Sequence, residues 1–391
     1  MHDVIIVGAG PSGLNAARKL ANKGLDVLVL ESKKEIGEYV ICTGVIGQEV
    51  FREFDLPRDL ILKEIKKMKW VSPMNNTMSY EHPRPFACVV NREKFDKYLG
   101  YRAQSEGARI ELNKEVLDIS VNNNCVEVVA REDKGDKEKH SAQIVLIATG
   151  INYFLHKKLG LGYPKDFLYG VQAEIDINNV DCTQVFIGRD IASGAFAWLV
   201  PIERGRVRIG LMTEENPEKC FNNLIKRFNP DRPKNLEKDQ IQYKAIAQGL
   251  VSKTYGERVL AIGEAAGQIK TTTGGGIYFG LLCSDIASEV VYKRFEEGCF
   301  QAHALAEYEK LWKKTIQKEI LIGYYARKVC AKLSDAQIET VFQIAQNDGV
   351  IPLIKEKGNF NWHYELILAL MKRIPHWQIL SEKLRHLQNK N

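Results

Sequence analysis

The stretch DVIIVGAGPSGLNAARKLANKGLDVLVLE, close to the start of the chain, leaves few folds open. Val4–Val7 is an unbroken apolar and mostly β-branched run, the pattern of a parallel strand buried on both faces. Gly8, Gly10 and Gly13 follow at G-x-G-x-x-G spacing. Leu14, Ala17, Leu20 and Ala21 then mark one face of a helix, and Val27–Leu30 a second strand. In such a unit the first glycine permits the turn and the second lets a pyrophosphate approach the backbone. The third lets the helix pack on the strand. Glu31 ends the second strand, eighteen positions after Gly13. A carboxylate there accepts hydrogen bonds from both ribose hydroxyls of an adenosine and repels a 2′-phosphate, so NADP is disfavoured at this site. The unit specifies an α/β, Rossmann-like dinucleotide site and by itself leaves FAD and NAD open.

A second stretch narrows that choice. GEAAGQIKTTTGGGIYFG, residues 263–280, holds six of the chain's 30 glycines. A loop this permissive is destabilising unless something occupies it. Apolar Ile277, Tyr278, Phe279, Leu281 and Leu282 follow at once, as in a helix start rather than a linker. A NAD dehydrogenase has no need of this second glycine-rich element, and its presence favours FAD.

Composition excludes several classes. Hydrophobic content of 45% and charged content of 27% are those of a globular protein, and no run of about eighteen apolar residues is present. A strand begins within three residues of Met1, leaving no room for a signal peptide, so a cytoplasmic location is expected. Eight cysteines form no C-x-x-C pair, so no metal or iron–sulfur site is expected. The net charge is +6, and residues 355–391 carry seven Lys/Arg against three Glu. No nucleic-acid motif accompanies that basic tail.

Five stretches together resemble the geranylgeranyl reductase family, including digeranylgeranylglycerophospholipid reductases, within the p-hydroxybenzoate hydroxylase-type FAD superfamily. The first is the N-terminal fingerprint ending in Glu31. The second is VVNREKFDKYL, 89–99, and the third IVLIATG, 144–150. The fourth is RVLAIGEAAG, 258–267, where Glu264 stands in place of the family's aspartate. The fifth is TTTGGGIYFG. Thr271 sits where proline is usual and Lys270 where asparagine is common, which is expected to loosen the loop.

The resemblance implies non-covalent FAD. It would be bound by Gly8, Gly10, Pro11, Ser12, Gly13, Glu31, Ser32, Cys42, Arg92, Ala148, Thr149 and Gly150. The later contacts would be Gly263, Glu264, Gly274, Gly275, Gly276 and Ile277. The helix from Ile277 would aim its positive end at the flavin, favouring the reduced state. Gly275 is expected to hold a positive φ that a β-branched residue could not adopt.

The substrate side is read from GAFAWLVPIERGRVRIGL, 194–211, two strands about a turn at 203–205. Alternation puts Phe196, Trp198 and Val200 on one face, and the stretch resembles the family's Tyr-x-Trp-x-Phe-Pro motif. The competing reading is an aromatic strip in a sheet core. Cys42, in a segment similar to the family's Cys-Gly stretch, is a catalytic candidate beside Trp198 and Phe196, or simply a buried small residue. A hydrophobic tunnel beginning at the flavin is expected.

The expected fold is a Rossmann-like FAD-binding domain with an inserted antiparallel-sheet substrate domain and a C-terminal helical region. FAD-binding segments are 1–65, 88–164 and 246–295; the β domain is 66–87 and 165–245; the helical region is 296–391. Trp362, Trp377 and neighbouring basic residues suit either an interfacial helix touching a membrane or a docked cap. The resemblance implies reduction of carbon–carbon double bonds in an isoprenoid or other lipid chain. The electrons would come from an external donor such as NAD(P)H or ferredoxin. An FAD monooxygenase or halogenase of the same fold, or an electron-transfer flavoprotein serving a quinone, are the alternatives.

Overall fold

The computed structural model describes residues 1–133, 135–203, 205–228, 240–347 and 350–373. Parity divides the first apolar run. Val4 and Ile6 enter one core, and Ile5 and Val7 enter another. The strand IVLI repeats the division, with Ile144 and Leu146 on one side and Val145 and Ile147 on the other. A strand covered on both faces must be apolar at every position, which is why these two segments do not alternate.

These strands are the centre of an eight-stranded sheet. His2–Val7 pairs in parallel with Val27–Leu30 and with Lys137–Ile147, in the register Val4↔Val27 and Ile5↔Val145. Arg109–Glu111 and Val259–Ala261 extend it, also in parallel, at either side. Helices Pro11–Asn22, Arg92–Ser105 and Ile277–Glu297 share the core on one face. The antiparallel strands Lys114–Val121 and Val126–Glu132 contribute to the core on the other.

The glycines of the first turn have different jobs. A Cβ on Gly13 would strike the carbonyl oxygen of Gly8, so the helix rests directly on the strand end. Gly8 has φ +107°, and a Cβ there would lie 2.6 Å from the carbonyl oxygen of Ala148. A Cβ on Gly10 would meet nothing within 4 Å. That position faces open space.

A seven-stranded sheet forms a second layer. Its order is Gln242–Gln248, Asp166–Asp176, Arg206–Thr213, Ala197–Glu203, Thr183–Phe186, Lys67–Val71 and Thr77–Glu81. The sheet runs on to Gln248, past the 245/246 boundary expected from sequence, because Asp166–Asp176 pairs with that strand along its whole length. One face packs with Phe221 and Leu224 of helix Pro217–Phe228. The opposite face carries Gln172, Trp198, Val200, Met212, Lys244 and Ile246, which all line one cavity.

The C-terminal part is helical: Ala302–Cys330, Asp335–Asn347, Val350–Lys357 and Tyr364–Arg373. The Trp362 ring packs against Tyr278 and Phe279, with centroids 6.0 and 5.4 Å apart. Ile367, Leu368 and Met371 pack with Ile322 and Ala326 of the long helix. The first tail segment is therefore docked, with the Trp362 ring packed against helix Ile277–Glu297. The segment beyond Pro375, with Trp377, lies outside the described residues. No helix among the described residues is long and apolar enough to cross a membrane.

Replacing Gly13 by alanine should push helix Pro11–Asn22 off the sheet. Overpacking of this kind costs about 1–3 kcal/mol. Urea unfolding should show a lower midpoint with an unchanged slope.

Candidate active site

A cavity of about 1370 Å³ begins at Gly8 and Gly10, passes between the two sheets, and ends among the C-terminal helices at Phe342 and Leu370. Sites for one small ligand occupy about 300–1,000 Å³. This one has room for a dinucleotide and a second molecule.

The dinucleotide end is built from chain ends of the first sheet. Glu31 Oε2 accepts from the Ala9 N–H at 2.6 Å, and Oε1 from the Lys33 N–H at 3.0 Å and the Ser32 hydroxyl at 3.2 Å. The carboxylate is thus fixed over the glycine turn before any ligand arrives. The helix starting at Pro11 has Gly10 as N-cap and no side chain capping it. The helix starting at Ile277 is likewise uncapped after Gly276, with no acidic residue in its first turn. Both expose unsatisfied N–H groups and a positive dipole end at the cavity, a setting suited to phosphate or a flavin carbonyl.

Residues 263–277 are tied in place rather than loose. Thr271, at 1% exposure, donates to the Ile320 carbonyl at 2.7 Å. Thr272 Oγ1 lies 2.6 Å from His363 Nδ1. The loosening expected from the missing proline does not occur, because these hydroxyls replace ring rigidity with buried hydrogen bonds. The positive φ falls at Gly274, at +70°, and not at Gly275. A Cβ on Gly274 would also lie 2.8 Å from the Met212 sulfur. Gly275 is constrained differently, since its Cβ would lie 3.1 Å from Lys270 Cε. Glu264 makes an ion pair with Lys244 at 2.9 Å, linking the first sheet's edge to the second sheet. The Tyr153 hydroxyl donates to the Glu264 carbonyl at 3.2 Å.

On the substrate side, the segment around Cys42 is pinned to the second sheet. Thr43 donates to Gln172 Oε1 at 2.9 Å, and Arg208 Nη1 donates to the Thr43 carbonyl at 2.8 Å. Cys42 Sγ accepts from the Gly44 N–H at 3.3 Å and faces the cavity. Arg92 is no solvated helix-end charge. Its side chain is 11% exposed and its guanidinium bonds both Asp96 oxygens at 3.0 Å. Burial alone would lower its pKa, but Asp96 and Cys42 outweigh that and raise it. Phe196 and Trp198 lie 5.9 Å apart by ring centroids. Trp198 is paired with Gly210, where a Cβ would lie 2.6 Å from the indole. The indole N–H is buried and has no partner among the described residues, an orphan donor at the cavity wall.

Gly8, Gly10, Pro11, Ser12, Glu31, Ser32, Cys42 and Arg92 line the cavity, as do Ala148, Thr149, Gly150, Phe196 and Trp198. So do Glu264, Gly274, Gly275, Gly276 and Ile277. Gly13 and Gly263 do not, because their missing side chains make room for backbone and for Ser12. Sequence reading missed Lys244, the buried position of Lys270, and the turn 359–363 that closes one wall. Lys270 was legible as the single basic residue in 263–280. The other two depend on long-range packing with no local signal.

The family model described as an FAD binding domain matches residues 1–281. The chain belongs to this FAD-binding family. Its members are flavoproteins, and FAD is its cofactor. The digeranylgeranylglycerophospholipid reductase of Methanocaldococcus jannaschii is 29% identical over 354 residues, 87% of this chain and 90% of the relative. Digeranylgeranylglycerophospholipid reductase 2 of Methanopyrus kandleri is 29% identical over 378 residues, covering 90% and 92%. Among solved structures, a geranylgeranyl bacteriochlorophyll reductase-like protein from Thermoplasma acidophilum matches with TM-score 0.85 at 24% identity, covering 98% of this chain and 99% of that one. A flavin-dependent brominase matches with TM-score 0.74 at 17% identity, covering 96% and 99%. These two likenesses establish the fold. The open space over Gly10 and the two uncapped helix starts fit FAD.

Valine at position 274 would have to take a positive φ and displace Met212. Purified Gly274→Val should release far less FAD per mole of protein on acid precipitation than wild type, while circular dichroism shows the helices retained.

Proposed function

We propose that this protein is an FAD-dependent reductase that saturates carbon–carbon double bonds in an isoprenoid-chain lipid. The observation that carries the reading is the continuity of the cavity: one space joins the glycine turns to a chamber walled by Trp70, Phe196, Trp198, Phe342, Leu366 and Leu370. A long apolar tail gains about 0.8 kcal/mol for each buried CH₂, so such a chamber selects chain-like substrates. The names of the relatives, digeranylgeranylglycerophospholipid reductases, support the same substrate class.

In this reading Glu31 holds the adenosine ribose, and the two uncapped helix starts take the pyrophosphate and the flavin. FAD supplies a hydride equivalent when reduced. The segment at Cys42 and the Phe196–Trp198 face orient the alkene and exclude water. The first layer is the cofactor domain and the second the substrate domain. The reductant is external, and a basic lipid-facing surface at the C-terminal helices would admit the substrate from a membrane. A small polar chamber closed by histidine or arginine would instead favour a hydroxylase; Arg189, Arg327 and His363 do line this cavity, but it is large and most of its chamber walls are apolar, which argues for the lipid.

The test is anaerobic. The bound flavin is photoreduced, then mixed with a geranylgeranyl ether lipid, with a quinone, or with air. Rapid reoxidation by the lipid with loss of its double bonds is expected. Reoxidation by quinone or air alone would sink the reading. Glu31→Ala should weaken FAD binding by about 1.5–3 kcal/mol, read by fluorescence titration. Trp198→Ala should lower lipid turnover more than it lowers FAD affinity.

A further inference from the structure

Lys270 is 4% exposed and lines the cavity at the junction of its two ends. On one side, Nζ lies 3.7 Å from where a Gly275 Cβ would be. On the other, it lies 4.5 Å from the centroid of Phe360, a ring in the same apolar cluster as Trp198. The ammonium donates to the Phe360 carbonyl at 2.9 Å and to Asn361 Oδ1 at 3.3 Å. Its third N–H has no oxygen or nitrogen partner among the described residues.

Those partners are neutral. Lys270 makes no ion pair among the described residues, although two carboxylates are near. Glu319, on helix Ala302–Cys330, spends its oxygens on the N–H groups of His363 and Tyr364 at 2.8 and 2.9 Å. Glu49, on helix Glu49–Glu53, accepts from Asn361 Nδ2 at 2.7 Å. His363 Nε2 lies 2.9 Å from the Phe360 carbonyl, which can only accept, so Nε2 carries the proton and Nδ1 accepts from Thr272. Burial and the nearby Lys270 push His363 down to about 3, and it stays neutral. Burial pushes Lys270 down to about 8, with Glu319 and Glu49 opposing but not offsetting it. An amine at that value holds a proton near neutrality and can give it up, as a general acid must.

We propose that Lys270 is the catalytic acid of this site, donating from Nζ the proton that completes saturation of the substrate double bond. The proposal rests on the ene-reduction reading above. One alkene carbon gains a hydride equivalent from two-electron-reduced FAD, which returns to its oxidised form. The π bond breaks, and its electron pair takes the proton from Nζ at the other carbon. The neutral amine regains a proton from water after the product leaves.

Two measurements test this. In the cofactor-free protein, a folded-state pKa below the unfolded one means the unfolded chain binds more protons between about pH 8 and 10, so stability rises with pH there. Wild type should gain stability across that window relative to Lys270→Met; parallel curves overturn the proposal. In the photoreduced holoenzyme, Lys270→Met and Lys270→Asn should slow reoxidation by the geranylgeranyl lipid about 10²–10⁴-fold. Reoxidation by ferricyanide should be unchanged. Lys270→Arg, which keeps the charge but is a poor acid, should not rescue. The wild-type lipid rate should be flat below pH 8 and fall above it. Variants as fast as wild type, or a loss confined to Cys42→Ala, overturn the assignment of Lys270 alone. A wild-type enzyme inert to the lipid overturns the reading and the proposal with it, whatever the stability curves show.

Discussion

The rest of the structure depends on how closely helix Pro11–Asn22 approaches its neighbours. The Ser12 side chain occupies the space that Cβ atoms on Gly263 and Gly280 would take. Beside it, Asn15 donates to Ser284 Oγ at 2.8 Å and to Asp285 Oδ1 at 2.7 Å. The helix start of the first motif is thereby locked to the helix start of the last. Both dipole ends reach one cavity because of that contact, and neither glycine motif alone would make a flavin site.

The second sheet is held to this frame by few polar links at high leverage. Lys244 reaches Glu264, and Gln172 and Arg208 hold the segment around Cys42. Arg208 also pairs with Glu174 at 2.8 Å and is 10% exposed at the side chain. Buried, multiply bonded cations of this kind fix a geometry more than they add stability. Apolar side chains make up most of the cavity wall they set.

Much of this was legible in the sequence, and for identifiable reasons. Unbroken apolar runs at 4–7 and 144–147 can only be strands covered twice, and G-x-G-x-x-G between strand and helix admits one turn. Alternation sufficed to put Phe196, Trp198 and Val200 on one face, because a strand's period is fixed at two. What escaped reading was tertiary. Nothing local distinguishes Gly274 from Gly275 as the residue with positive φ. Thr271 could be judged only by what it lacked, because its acceptor at Ile320 is 49 positions away. Asn361 and His363 look like ordinary loop residues until the turn carrying them folds against Lys270.

That turn has a consequence for how the molecule is made. Asn361 bonds Glu49 across 312 positions of chain, and Lys270 bonds it across 91. Such closures are slow, and the segment that makes them is translated long after the glycine turn. The glycine turn at residues 8–13 can be in place long before the opposite wall exists. A nascent chain would therefore meet its cofactor through an open trench, and the walled chamber would come into being only once residues 359–363 have emerged and docked. The glycine turn alone cannot shelter a reactive flavin; that needs the wall that a far later segment supplies.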